Sequence, residues 1–201
     1  MPHPDVIDHL TRLYAANDDP WNHRSSPYEA EKYAATLSCL GPGPFAEVLE
    51  IGCGNGELAL RLASRCERLV AMDCIAAAVE AARSTLSSLQ KVQVLMGSAP
   101  QDLPSMQPDL VVLSEVLYFL TPDEIAGLGR WLRRHAKGPI VAVNWTGPTD
   151  EPLTGSIAVE LLAQELTVIK TLRHEDFRID VFRVADQEPV FMPKLRDRGD
   201  G

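Results

Sequence analysis

Apolar and polar positions along this chain follow two periods in alternation. Short apolar runs near 46–51, 68–73, 92–96, 109–114 and 139–145 predict strands. The segments near 56–65, 76–88 and 122–134 repeat apolar residues every three or four positions and predict helices. An earlier helix is predicted over 5–16, where Val6, Ile7, Leu10, Leu13 and Tyr14 fall at helical spacing. After a polar connector from Asn17 to Ser25, Ser26-Pro27-Tyr28-Glu29 reads as a capping box with proline at the first helical position. Thr121-Pro122-Asp123-Glu124 repeats that device and fixes where the preceding strand must stop.

Strands separated by helices specify an α/β, doubly wound, Rossmann-like parallel sheet, with ligands at the carboxyl ends of its strands. The pattern changes past residue 145. Ile157 to Leu166 predicts a helix, and Thr167–Leu172 and Phe177–Val184 predict two strands joined by a turn. The second of these alternates apolar and polar side chains, as an exposed antiparallel strand should. Residues 186–201, rich in charge, proline and glycine, predict a loose tail. The expected organisation is one domain over 1–185, with 1–38 as an N-terminal cap of helices.

Within that frame, residues 48–56 carry the chemistry. The run Val48-Leu49-Glu50-Ile51 opens into Gly52, Cys53, Gly54, Asn55 and Gly56, and then into a helical segment. Glycine suits a turn that needs positive φ and close backbone approach, and the helix behind it offers free N–H groups to a ligand. A dinucleotide fingerprint needs glycine at 57, where Glu57 stands, and a phosphate loop needs a lysine that this turn lacks. Instead the carboxylates Glu50 and Asp73 frame the turn. Asp73 lies 21 positions beyond Gly52, close to the offset of about 20 at which an acid at the tip of the second strand receives ribose hydroxyls. A ribose without phosphates fits this arrangement.

The Glu-x-Gly-x-Gly-x-Gly turn followed by that acid resembles motifs I and II of class I S-adenosylmethionine-dependent methyltransferases. The resemblance implies a seven-stranded sheet, mostly parallel with a reversed last strand. It also implies S-adenosylmethionine as cofactor, with S-adenosylhomocysteine as product. Asp73 then anchors the ribose above the turn Gly52, Cys53, Gly54, Asn55 and Gly56, with Glu50, Cys74, Ser98, Ala99 and Trp21 completing the cofactor set. Members of that family often carry Gly-Asp-Ala where this chain has Gly97-Ser98-Ala99, so the adenine contact departs from the pattern. Asp102 replaces that aspartate only if its loop folds back. Glu115 and Tyr118, delivered by the strand ending at Ser114, correspond to motif IV between cofactor and acceptor. They are the candidate catalytic residues, Glu115 also touching the cofactor, while Tyr118 reads equally as a core aromatic.

A narrower resemblance rests on Asp19-Pro20-Trp21, Pro27-Tyr28-Glu29, Lys32-Tyr33, Leu49 to Gly54 and Ser114 to Leu120. Together these are similar to the nodulation protein S family of Nod-factor N-methyltransferases. That resemblance implies a small-molecule acceptor containing an amino sugar, methylated on the free amine of a deacetylated glucosamine unit in a chitooligosaccharide. Asn144 and Trp145, at the end of the fifth predicted strand, are the candidate acceptor-binding residues. Trp21 anchors the connector, covers the methionine end of the cofactor or gives a sugar ring an apolar platform, the connector being where the family places a lid. Against an amine acceptor, Glu115 holds or removes the extra proton, or His174 does if its loop approaches. Two other readings stay open: an O-methyltransferase acting on a sugar or secondary metabolite, and a sensor that binds S-adenosylmethionine without turnover.

Composition narrows the partners. Nineteen basic against 28 acidic residues give a net charge of −9, which opposes a phosphate backbone and argues against nucleic acid. Four cysteines, with no C-x-x-C pair and no histidine at metal spacing, predict thiols without a metal. No apolar run approaches the roughly 18 residues of a membrane span, and the N-terminus lacks a leader pattern, so the expected location is the cytoplasm.

Overall fold

The computed structural model describes residues 4–17 and 19–184. The predicted tail at 186–201 lies outside them. Helices α1 (Pro4–Ala16) and α2 (Pro27–Leu40) precede β1 (Phe45–Ile51), α3 (Glu57–Leu62), β2 (Cys66–Asp73), α4 (Ala76–Thr85), β3 (Val92–Met96) and β4 (Leu110–Ser114). Then come α5 (Pro122–His135), β5 (Ile140–Trp145), α6 (Gly155–Leu162), β6 (Thr167–Arg173) and β7 (Phe177–Arg183). The strands form one seven-stranded sheet in the order β3-β2-β1-β4-β5-β7-β6, parallel except for β7, which runs antiparallel to both neighbours.

Strand alternation splits the core into two layers. Leu49, Ile51, Val70, Met72, Val111 and Leu113 pack on one face with Ile125, Leu128 and Leu132 of α5 and Ala158 and Leu162 of α6. Val48, Leu69, Ala71, Leu110 and Val112 pack on the other with Tyr33 of α2 and Leu58, Ala59 and Leu62 of α3. Helix α1 lies across the start of α4, where Val6, Leu10 and Tyr14 meet Ile75 and Ala78. From β1 the chain winds outward through β2 and β3, then returns to β4 on the opposite side of β1. That reversal opens a crevice at the carboxyl ends of β1 and β4. No described helix is long and apolar enough to cross a membrane.

Two sequence expectations need correction. The capping box at Ser26 is only half formed: the Ser26 hydroxyl accepts from the Glu29 N–H at 3.5 Å, but the Glu29 carboxylate turns toward Lys32 and His23. At Thr121 the box is reciprocal. And β7, expected to be exposed, is buried at all but its last residue, while β6 forms the exposed edge. Its polar positions misled the reading because they satisfy each other: Arg178 Nε and Nη2 donate to both oxygens of the buried Asp180 at 2.7 and 2.8 Å, and Nη1 reaches Ser156 of α6. In β6 a bulge between Val168 and Lys170 leaves Ile169 as an extra residue, with Val168 and Ile169 exposed.

Candidate active site

The crevice holds a cavity of about 540 Å³, within the range of small-molecule sites. Its floor is the turn after β1. Gly52 adopts φ 83°, and a Cβ there would come within 2.6 Å of the Ser114 carbonyl oxygen, so β1 and β4 can converge at this point only without a side chain. Gly54, at φ 52°, faces Tyr14 and His23, so a side chain would project into the space between turn and cap. The Gly52 and Cys53 N–H groups donate to the Met72 carbonyl at 2.9 and 3.1 Å, tying the turn to β2.

Asp73 sits where that tie ends. Its Oδ2 accepts from the Gly54 N–H at 3.0 Å and its Oδ1 from the Ile75 N–H at 2.9 Å. Burial pushes its carboxyl above the usual range, with the N–H groups of Ile75, Gly54 and Cys74 opposing that rise. Glu50, one strand over, is fully buried, and neither carboxylate oxygen has a hydrogen-bond partner among the described residues. Burial first, and the Asp73 charge second, push Glu50 up to about 8.

The wall at the end of β4 is strained. Glu115 continues the ladder by donating its N–H to the Val143 carbonyl at 2.9 Å, yet its φ is 51°, a left-handed conformation uncommon for a residue with a side chain. This directs it toward α2, where its Oε2 pairs with Lys32. Lys32 in turn donates to Glu29 Oε1 at 2.8 Å, and its ammonium lies 5.0 Å from the Tyr28 ring centroid. His23 Nδ1 lies 3.1 Å from Glu29 Oε2 and 2.9 Å from the Tyr33 hydroxyl. Burial pushes the hydroxyls of Tyr28, Tyr33 and Tyr118 up, and the neighbouring carboxylates add to it, so these tyrosines stay neutral.

Of the residues singled out in the sequence, Glu50, Gly52, Cys53, Gly54, Asp73, Cys74, Ser98, Ala99, Glu115, Tyr118, Trp21 and Trp145 line the cavity. Trp21 stands edge-on to Tyr14 with centroids 5.6 Å apart, and Trp145 edge-on to Tyr28 at 5.5 Å. Three of the singled-out positions, Asn55, Gly56 and Asn144, lie off the lining, and the condition set for His174 is not met. Asn55 is buried, its amide donating to Asp19 Oδ1 at 3.1 Å and pinning the connector to the turn. Gly56 opens α3 against Ala82 and Leu86. Asn144, turned away from Trp145 by strand alternation, is fully buried beside Gly155, and both its amide atoms are unpartnered among the described residues. His174 stacks on Phe177 near Glu31 rather than approaching Glu115. The loop after β3 does fold back, but the Asp102 carboxylate accepts from the Ser98 N–H at 3.0 Å and serves to brace that loop.

Sequence reasoning missed the cap's contribution to the cavity. Glu29, Lys32, Tyr33 and Thr36 are all buried at spacing i, i+3, i+4, i+7, the inward stripe of a helix. A polar stripe at that spacing was the available signal.

Most of the site rests on the stretch of the chain that a family model recognises. The sequence model of nodulation protein S (NodS) matches residues 3–128. The chain belongs to the NodS family. Nodulation protein S of Rhizobium tropici is 34% identical over 134 residues, 64% of this chain and 55% of that relative. The Bradyrhizobium diazoefficiens protein is 34% identical over 117 residues, 58% of this chain and 56% of its own. The chain therefore spans about half the length of these curated relatives. The crystal structure of the N-methyltransferase NodS of Bradyrhizobium japonicum with S-adenosyl-L-homocysteine superposes with a TM-score of 0.78 at 24% identity, covering 89% of this chain and 97% of that one. It shares the Rossmann-like fold. The NodS match ends within α5, so Trp145, Thr149 and Glu151, which complete the cavity rim, lie beyond it.

Proposed function

We propose that this protein is an S-adenosylmethionine-dependent methyltransferase that methylates the free amine of a small amino-sugar acceptor, a deacetylated glucosamine unit of a chitooligosaccharide. One observation carries the reading: a single cavity joins the glycine turn and Asp73 to a carboxylate, Glu115, held at the end of β4. The residues present suit the cofactor. Asp73 receives ribose hydroxyls, the turn at Gly52 and Gly54 leaves room for the chain beneath, and the unpartnered Glu50 suits a cationic amino group. Bound there, the cofactor supplies a methyl group already activated by a sulfonium.

The chain has mainly to align the acceptor with the methyl group and exclude water. Trp21 and Tyr14 cover one side of the cavity, while Tyr28 and Trp145 offer apolar rings at the other. Glu115 holds the acceptor's amine and takes its surplus proton. NodS relatives support the N-methyl reading, since the Bradyrhizobium japonicum protein is itself an N-methyltransferase.

The test is transfer of labelled methyl from S-adenosylmethionine to paired chitooligosaccharides, deacetylated and fully acetylated, followed by mass spectrometry. Label on the deacetylated member alone is the expected result. Label on both would place the methyl on a hydroxyl, and label on neither, with cofactor bound, would remove the amino-sugar acceptor.

A further inference from the structure

Two carboxylates converge on one buried ammonium in this site, and they are held unequally. Both oxygens of Glu29 are engaged, Oε1 by Lys32 at 2.8 Å and Oε2 by His23 at 3.1 Å. Its side chain is 4% exposed and that of Lys32 3%. Glu115 is held through Oε2 by Lys32, from a left-handed backbone at the cavity wall, with its side chain 19% exposed. The Lys32 ammonium also sits against the Tyr28 and Tyr33 rings, at 5.0 and 5.9 Å. Such a position fixes it in space.

We propose that Glu29 and Lys32 are positioning residues that share one ammonium between two carboxylates, so that Glu115 is the member of the trio that takes up the proton shed by the acceptor. The proposal rests on the methyl-transfer reading above. In that reaction the acceptor nitrogen uses its lone pair to form the new bond to carbon, while the carbon–sulfur pair departs to sulfur. The nitrogen, now cationic, carries one proton more than the neutral product. That proton passes to the Glu115 carboxylate, which becomes a neutral acid and later returns it to water through the cavity mouth.

The charges around Glu115 favour this division. With His23 neutral, two carboxylates and one ammonium leave one negative charge in excess, and a protonated His23, bonded to Glu29, balances it on the Glu29 side. Burial raises Glu29, but hydrogen bonds from His23 and Lys32 and their charges override it and hold Glu29 at about 2. Burial raises Glu115 as well. There Lys32 and the more distant His23 pull down while Glu29 pushes further up, leaving Glu115 above the usual carboxylate range. The other titratable groups facing Glu115 are the hydroxyls of Tyr28 and Tyr33 from α2 and Tyr118 from the segment after β4, all neutral. The proton therefore goes to Glu115.

The test reads Glu115 directly and needs no acceptor. Infrared spectra of the full chain, titrated from pH 4 to 9, contain a protonated-carboxyl band identified by its loss in Glu115→Gln. In Glu29→Gln, Lys32 belongs to Glu115 alone, and the midpoint of that band should fall by about one pH unit or more. In Lys32→Met the ammonium is gone, and the midpoint should rise by a similar amount. A structural disturbance would not move one group in opposite directions by two substitutions in the same network. Midpoints that stay in place, or that move the same way, overturn the proposal, and if Lys32→Met does not fold, the fall in Glu29→Gln decides alone. Failure of the methyl-transfer assay with opposite infrared shifts would instead count against the acceptor reading and leave the unequal sharing of Lys32 between Glu29 and Glu115 standing.

Discussion

The orphaned carboxyl of Glu50 makes the stability of the ligand-free protein depend on pH in a way a single substitution can isolate. In the folded chain Glu50 is pushed from 4.5 up to about 8, first by burial and second by Asp73. A carboxyl whose folded pKa exceeds its unfolded value binds a proton more tightly when folded. Stability is therefore highest below the unfolded value, falls as pH rises from 4.5 to about 8, and levels off above. At about 1.4 kcal/mol per pKa unit, the whole fall is on the order of 3–5 kcal/mol. Glu50→Gln keeps the shape and carries no charge at any pH, so it lacks this component. Urea unfolding of wild type and variant, compared at pH 5 and at pH 8.5, measures it. We expect similar stability at pH 5 and a variant more stable by several kcal/mol at pH 8.5. Asp73 is present in both proteins, so its own titration largely cancels. A difference between the two proteins that is the same at both pH values would refute the reasoning, because Glu50 would then carry its charge in the fold without cost.

Three further outcomes are expected. Asp73→Ala removes the proposed ribose acceptor and frees the Gly54 and Ile75 N–H groups, and should weaken S-adenosylmethionine binding by about 1–3 kcal/mol, or 5- to 150-fold, in calorimetric titration. Unchanged affinity would take Asp73 out of that role. Glu115→Gln should lower the methylation rate near neutral pH, with much of the loss recovered as pH rises and the free amine deprotonates. A loss of several orders of magnitude at every pH, with cofactor affinity intact, would favour a hydroxyl acceptor. Because the Asp19 carboxylate accepts from the His23 and Arg24 N–H groups and from Asn55, Asp19→Ala should expose the bond after Arg24 to trypsin, and bound cofactor should protect it in the natural chain. Equal cleavage with and without cofactor would argue against a closing connector.

The alternation of strands and helices, and the turn at 52–56, were legible because both are local: apolar period, glycine and the spacing to Asp73 all lie within neighbouring segments. The reversed seventh strand was legible too, but not its burial, since Arg178 and Asp180 look like solvent-facing residues until they are seen to bond each other. The site was half legible. Asn144 and Trp145 are adjacent in sequence and project to opposite faces of the sheet, which puts one in the core and the other at the cavity. The partnership of Lys32 with Glu115 spans 83 residues and joins a cap helix to a strand end. No periodicity encodes such a pairing, although the polar stripe on α2 hints that this helix faces something charged.

The bulge in β6 has a consequence for how many of these molecules can share a solution. An outer strand with free amide donors and carbonyl acceptors is a template on which a second chain can align, and the apolar Val168 and Ile169 would reward such pairing. With Ile169 as an unmatched residue, the register to β7 jumps between Val168 and Lys170, so an incoming strand finds its bonding partners out of step. Lys170 adds a charged side chain to this strand, a residue type that edge strands commonly carry. The bulge thereby works against edge-to-edge pairing at the border where the sheet ends.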